Sequence, residues 1–297
     1  MAGIPFVRDL KFTYGEVDQV SPLIRRVICE NPGPFTYLGT GVYIIGRGDV
    51  AVIDPGPPVE KHFEALKRAL AGERVTHVFT THTHLDHSPL AHPLAEWAGA
   101  KVYGTPDPPG SREHTSLEED GQEGFAPDVV VKDGDVFTGP GWTLEAIATP
   151  GHMSNHVCYA LREENALFSG DHIMGWSTTV ISPPDGNMGD YYRSLDKIKA
   201  RGFDVLWPTH GPPVREVTPF IDAYAAHRRA REEAIVARLK AGDTLIPDMV
   251  KVIYKDVDVR LHAPAAHSVL AHMIQLVETG RAVADGPLTL STHYRPA

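Results

Sequence analysis

The sequence predicts an α/β fold, with helices layered on β-sheet, followed by a small helical C-terminal domain. Two observations carry that prediction. Between residues 42 and 103, apolar runs of strand length alternate with longer segments of helical period, the pattern of helices laid on a sheet. From Val217 onward the alternation stops, and the chain reads as helices ending in a short hairpin. The break divides the chain into residues 1–215 and 216–297. At 297 residues, 42% of them hydrophobic and 22% charged, the chain has material for one large domain and one small one.

Residues 23–29 alternate loosely and predict an edge strand, ended by Asn31-Pro32-Gly33-Pro34. Residues 37–38, 42–45 and 50–53 read as strands, the last two joined by a hairpin through Gly46-Arg47-Gly48-Asp49. Phe63, Leu66 and Leu70 share one face of a helix over 59–71, which Gly72 stops. A strand at 75–81, a helix at 90–98 and a strand at 100–103 continue the alternation. Residues 104–128 interrupt it with Pro106, Pro108, Pro109 and Pro127, and read as a long solvated loop. Strands follow at 129–131, 136–137 and 142–148, then a hairpin of 157–161 with 166–169. After an irregular stretch at 175–190 come a helix at 191–201 and a strand at 205–207. In the tail, helices are expected at 220–241, 244–254 and 264–279, with a hairpin wing of 283–284 against 288–290.

One stretch concentrates chemistry: Thr80-Thr81-His82-Thr83-His84-Leu85-Asp86-His87. Three imidazoles and a carboxylate within six residues are costly to bury unpaired. They are the donors that zinc and similar ions take.

This H-x-H-x-D-H pattern resembles the signature of the metallo-β-lactamase superfamily, and the resemblance extends over residues 1–215. It implies an αββα sandwich and three further ligands. These are His152 in Thr149-Pro150-Gly151-His152, Asp171 in Ser169-Gly170-Asp171 and His210 in Pro208-Thr209-His210. By match to the family, His82, His84 and His152 would hold one metal. Asp86, His87 and His210 would hold a second, with Asp171 bridging. Asp54, before Pro55-Gly56, matches a family Asp that orients ligands; its plainer reading is a turn former. Each of these residues directly follows the end of an expected strand, so all of them can meet along one edge of the sandwich. The core followed by a long helix and a winged-helix-like tail resembles in particular the β-lactamase-like-protein-2 subgroup. Ser88 after the first motif, where Gly is common, and His172 after Asp171 depart from the subgroup's usual pattern.

The resemblance implies a binuclear hydrolase, with zinc as the expected metal and iron and manganese suited to the same donors. A metal-bridging hydroxide would attack a small ester, thioester or phosphoester, with Asp86 taking a proton. His156 and His172, close in sequence to ligands, are candidates to protonate the leaving group. The alternative is a single-strand-specific endoribonuclease, the activity of one subgroup member type. A further alternative is a non-enzymatic nucleic-acid or scaffold protein working through the tail, which would have no need of seven ligands.

Net charge is −10, and it disfavours a polyanionic partner. Residues 216–297 hold ten Lys/Arg and ten Asp/Glu, so the excess of acid lies in residues 1–215. Residues 264–279 contain no Lys or Arg, which argues against DNA in a groove. RNA stays open as a partner through the subgroup. Otherwise the tail is expected to pack on the catalytic part or to form a homodimer. No apolar run of 18 residues and no signal peptide are visible. Two cysteines, Cys29 and Cys158, make no disulfide framework, and together these features predict a cytoplasmic protein.

Overall fold

Strands of two sheets turn large apolar side chains toward each other, and that packing sets the architecture. The computed structural model describes residues 3–107 and 124–297, so most of the loop expected at 104–128 lies outside the described residues. The first sheet runs in chain order: β1 (Val17–Gln19), β2 (Ile24–Ile28), β3 (Gly41–Ile45), β4 (Asp49–Ile53), β5 (Arg74–Phe79), β6 (Lys101–Gly104) and β7 (Val129–Val130). It is antiparallel as far as β4 and parallel beyond. The second contains β8 (Val136–Gly139), β9 (Trp142–Ala148), β10 (Val157–Leu161), β11 (Ala166–Gly170) and β12 (Val205–Pro208). Its spatial order is β12-β11-β10-β9-β8, with only β11 and β12 parallel.

Alternation along the strands builds three layers of core. Tyr43, Ile45 and Ile53 of the first sheet meet Trp142, Tyr159 and Phe168 of the second between the sheets. The opposite side of the first sheet, with Val42, Ile44 and Val52, packs on α1 (Glu60–Ala69) and α2 (Ala91–Ala98). The opposite side of the second, with Ile147, Cys158 and Leu167, packs on α3 (Met188–Arg201) and the start of α4 (Val217–Lys240). Both sheets are covered on both faces, so central strands read as continuous apolar runs. Cys29 and Cys158 are free and buried, and burial pushes each thiol up to about 12.

The C-terminal residues form a separate core from the second half of α4, α5 (Ile246–Ile253), α6 (His262–Glu278) and Tyr294. At 24 residues, α4 is roughly 36 Å long at 1.5 Å per residue. Its first half therefore joins the core under the second sheet while its second half joins the tail core.

Three expectations are corrected. The strand expected at an edge is β2, and β1 pairs outside it with Val17 opposite Val27. Too short and polar to show a pattern, β1 covers a β2 whose Arg25 and Arg26 are buried against Glu73 and Asp18. Tyr37 is no strand residue; its φ of +56° places it in a turn. The wing pairs β13 (Ala282–Ala284) with β14 (Tyr294–Pro296), not with residues 288–290. Leu288 and Leu290 instead pack on the tail core from the connecting loop, and the buried Tyr294 hydroxyl donates to the Thr289 carbonyl at 2.8 Å.

Candidate metal centre

Five histidines and two aspartates meet at one edge of the sandwich, from the loops that follow β5, β9, β11 and β12. His82 Nε2 lies 2.9 Å from His84 Nδ1, and His152 Nε2 lies 3.2 Å from the same nitrogen. His210 Nε2 lies 2.9 Å from Asp86 Oδ2 and 3.3 Å from His87 Nε2. Asp171 stands between the two groups, its carboxylate 3.6 Å from His87 Nε2, 3.6 Å from His210 Nε2 and 4.0 Å from His152 Nε2. Three triads each bring one donor atom per residue within 4.8 Å of one another: His82/His84/His152, His82/His87/Asp171 and Asp86/His87/His210.

Hydrogen bonds at the far side of each ring fix which nitrogen faces the cluster. His152 Nδ1 donates to the Val180 carbonyl at 2.7 Å, and His210 Nδ1 to the Gly39 carbonyl at 3.2 Å. A carbonyl only accepts, so in the neutral form of each ring Nε2 carries the lone pair. Asp54 Oδ2 accepts from His87 Nδ1 at 2.9 Å, with the same result for His87. The Thr81 hydroxyl gives its one proton to Asp54 at 2.8 Å and so accepts from His82 Nδ1 at 3.0 Å. Four imidazole lone pairs thus converge. A proton on His84 Nδ1 satisfies one of its two facing nitrogens, whereas a cation satisfies both.

The electrostatics point the same way. Burial holds His82 far below its usual range and His84 down to about 3, with neighbouring imidazoles adding to the effect. Burial opposes charge on Asp86 and Asp171, but His87 and His210 beside them outweigh it and keep both carboxyls well below the usual range. Burial likewise opposes a charged His87, and Asp86, Asp171 and Asp54 together overcome it. The carboxylates therefore favour positive charge at the centre, carried either by protons on His87 and His210 or by a cation that takes up the lone pairs of the neutral rings. Asp171 Oδ1 is buried without a hydrogen-bond partner among the described residues. Such an orphan acceptor is costly, and a divalent ion would satisfy it.

Asp54, the expected orienting residue, is fully buried and collects four donors. Besides His87 and the Thr81 hydroxyl, these are the Thr81 backbone N–H at 2.7 Å and the Thr209 hydroxyl at 2.8 Å. It thus ties the end of β4 to the loops that carry both ends of the ligand set. Its own φ is +50°, a conformation uncommon outside glycine.

His156 and His172 lie behind the cleft, not in it. The Asp171 backbone N–H donates to His156 Nε2 at 3.2 Å, and His156 Nδ1 contacts the Thr149 hydroxyl at 2.8 Å. Both ring nitrogens are thereby engaged. The contact requires glycine at 170, where φ is +51° and a Cβ would come within 2.6 Å of His156 Nε2. His172 has no exposed surface, sits edge-on to Tyr191 at 4.9 Å, and is pushed down to about 3 by burial. Ser88 turns its hydroxyl to the Thr83 and His84 carbonyls at 3.2 Å.

A cleft of about 440 Å³, open to solvent, reaches the cluster at His84, Asp86, His152 and Asp171. Its other wall comes from residues 174–180 and from Pro34 and Phe35. Sequence reading missed what holds that wall. Tyr224 of α4 donates to the Met174 carbonyl at 2.8 Å and to Ser177, and Arg228, 4% exposed, donates to the Thr179 carbonyl. Thr179 in turn donates to the Asp171 carbonyl at 2.8 Å. No local signal in the sequence marks Tyr224 or Arg228, because what they hold lies 47 to 50 residues away.

A two-sheet sandwich flanked by helices, with a His/Asp metal centre at its edge, defines a class of metal-dependent hydrolases. Residues 37–210 match the model of the metallo-beta-lactamase superfamily, and residues 246–287 that of the beta-lactamase associated winged helix domain. A beta-lactamase-like protein 2 homolog of Caenorhabditis elegans is 32% identical over 280 residues, covering 91% of this chain and 89% of its own. An atrochrysone carboxyl ACP thioesterase of Paecilomyces divaricatus is 32% identical over 75% of this chain and 67% of its own. A solved beta-lactamase domain protein from Burkholderia ambifaria shares the fold with a TM-score of 0.80 at 22% identity, covering 97% of this chain and 96% of its own. The chain belongs to the metallo-β-lactamase superfamily, as a hydrolase carrying the associated winged helix domain.

Proposed function

We propose that the protein is a binuclear metal-dependent hydrolase of small-molecule thioesters, with residues 1–215 as the catalytic unit and 216–297 as its accessory unit. The convergence of four fixed imidazole lone pairs on two buried carboxylates carries the binuclear reading. His82, His84 and His152 would hold one ion and Asp86, His87 and His210 the other, with Asp171 placed between the two groups. Zinc is the ion we assign, since imidazole and carboxylate are its usual donors. When bound, paired divalent ions supply Lewis-acid polarisation of a carbonyl and acidify water. Asp86, which lines the cleft, takes up the proton of the attacking water.

The thioester is favoured by the leaving group it needs. A thiolate, from a thiol with an ordinary pKa of about 8.5, departs without an acid, whereas an alkoxide needs one. With His156 and His172 behind the cleft, His156 serves to hold Asp171 and neither protonates the leaving group. The named thioesterase relative supports the same choice. RNA is the competing substrate, and the cleft-lining side chains include no Lys or Arg among the described residues.

The test sets zinc-loaded protein against acyl thioesters and against a labelled, structureless RNA, beside Asp86→Asn. The expected result is thioester hydrolysis that falls at least ~100-fold in the variant, with RNA intact. RNA cutting that disappears in Asp86→Asn, with thioesters untouched, would overturn the thioester reading.

A further inference from the structure

The cleft beside the cluster has two unlike sides. Facing the His and Asp groups is a wall of Pro34, Phe35, Met174, Trp176 and Val180, with the hydroxyl-bearing Ser177 and Thr178 between the last two. The Trp176 ring is held from two directions. It stacks on Tyr37 at 4.7 Å with 13° between the planes, and the Tyr37 hydroxyl is anchored to the Arg8 carbonyl at 2.9 Å. It also packs on Gly211, where φ is +86° and an added Cβ would come within 2.7 Å of the indole. Gly211 follows His210, so the indole has a fixed place relative to the metal-binding residues. Tyr224 pins the backbone on both sides of Trp176, through the Met174 and Ser177 carbonyls. Phe35, by contrast, is 36% exposed and presents an uncovered ring.

We propose that this wall is the acyl subsite, and that it takes an apolar, uncharged acyl group of the thioester; the proposal rests on the hydrolase reading of the same site. The cleft opens to solvent directly beside His84, Asp86, His152 and Asp171, so a group lying on the wall reaches the cluster. Prealigned rings cover hydrocarbon at little entropic cost. The thiol arm of an acyl carrier is rich in amides and carries phosphate. Phosphate calls for cations, and the cleft-lining side chains include no Lys or Arg among the described residues; the wall's polar side chains are the Ser177 and Thr178 hydroxyls and a buried indole N–H. The acyl chain therefore lies along the wall and the sulfur points to the cleft mouth. In the reaction a C–O bond forms from water and the C–S bond breaks. The acyl group leaves as carboxylate, the sulfur as thiol, and one proton is released.

The test uses the zinc-loaded full chain and two series of probes. One series lengthens the acyl group on a fixed thiol, and the other lengthens the thiol on a fixed acetyl group. Each is made both as thioester for turnover and as thioether, without the carbonyl, for calorimetric binding. The expected result is thioether affinity rising roughly fourfold per acyl methylene until the cleft fills, in the first series only. Trp176→Ala and Phe35→Ala should flatten that rise, and Trp176→Phe should restore most of it. Phe35→Ala also covers the case in which Trp176→Ala misfolds, because Phe35 is half exposed. Affinity independent of acyl length, or rising with the thiol instead, would overturn the subsite. Graded thioether binding without turnover of any thioester would sink the thioesterase reading while leaving the subsite standing.

Discussion

Asp54 carries no metal in this assignment, yet its two oxygens accept from His87, from Thr209 and twice from Thr81. Asp54→Asn places an amide N–H₂ where donors already point, so at least one donor loses its acceptor. Loss of such an orienting partner typically costs 10–100-fold in metal affinity. Competition against a chromogenic chelator should show a drop of about that size, with circular dichroism unchanged; undiminished affinity would make Asp54 a turn former only. His62 offers a pH handle away from the ligands. It is 3% exposed, its Nε2 lies 3.1 Å from the Pro55 carbonyl, and burial pushes it down to about 4. The unfolded chain binds that proton near pH 6.5 and the native chain does not. The contribution is therefore fully present above pH 6.5 and is lost as pH falls toward 4, with a slope of up to about 1.4 kcal/mol per pH unit. His62→Gln should reduce the slope of denaturant-derived stability over that window. An unchanged slope would place the titration elsewhere.

At the scale of elements, α4 links the tail to the catalytic edge. Arg228 reaches Thr179, Thr179 reaches Asp171, and the neighbouring Val180 carbonyl holds His152. The guanidinium also lies 5.4 Å from the centre of the Tyr191 ring. Arg228→Met leaves the Thr179 carbonyl short of a donor, at a cost of about 1–3 kcal/mol. It should lower both unfolding stability and zinc affinity, and Arg228→Lys should recover part of each. A stability loss with zinc affinity intact would confine Arg228 to packing. The same scale shows why the strand ends were legible and the braces were not. Apolar period and ligand type are local, so β5 and the cluster after it stand out in the sequence. Tyr224 and Arg228 sit on a helix whose local pattern says only that it is a helix. What they hold lies 47 to 50 residues away.

Over the whole molecule, the tail's architecture and its surface tell different stories. Its winged-helix match would suggest a nucleic-acid reader. Yet α6 is buried along Ala265, Ala266, Val269, Leu270, His272, Met273 and Leu276, and Ala271 joins the core beneath the second sheet. The helix is covered on several sides and free of Lys and Arg, the residues that neutralise phosphate. The helix that enters the tail core, α4, is also the one that holds the cleft wall through Tyr224 and Arg228. Among the described residues no helix is long and apolar enough to cross a membrane.

The sequence by itself determined the class of fold, and it marked the seven His and Asp residues that meet at one edge and the strand ends that deliver them, because each of those signals is contained in a few consecutive residues. It also marked Asp54, through a turn that doubles as a hydrogen-bond hub. Only the tertiary structure decided which nitrogen of each ring faces the cluster, since those choices are set by acceptors as distant as Gly39 is from His210, 171 residues apart. For the same reason it alone placed the His156 and His172 rings behind the cleft. Proximity in sequence to a ligand does not fix the side from which a ring approaches. Packing of α3 and α4 against the second sheet does.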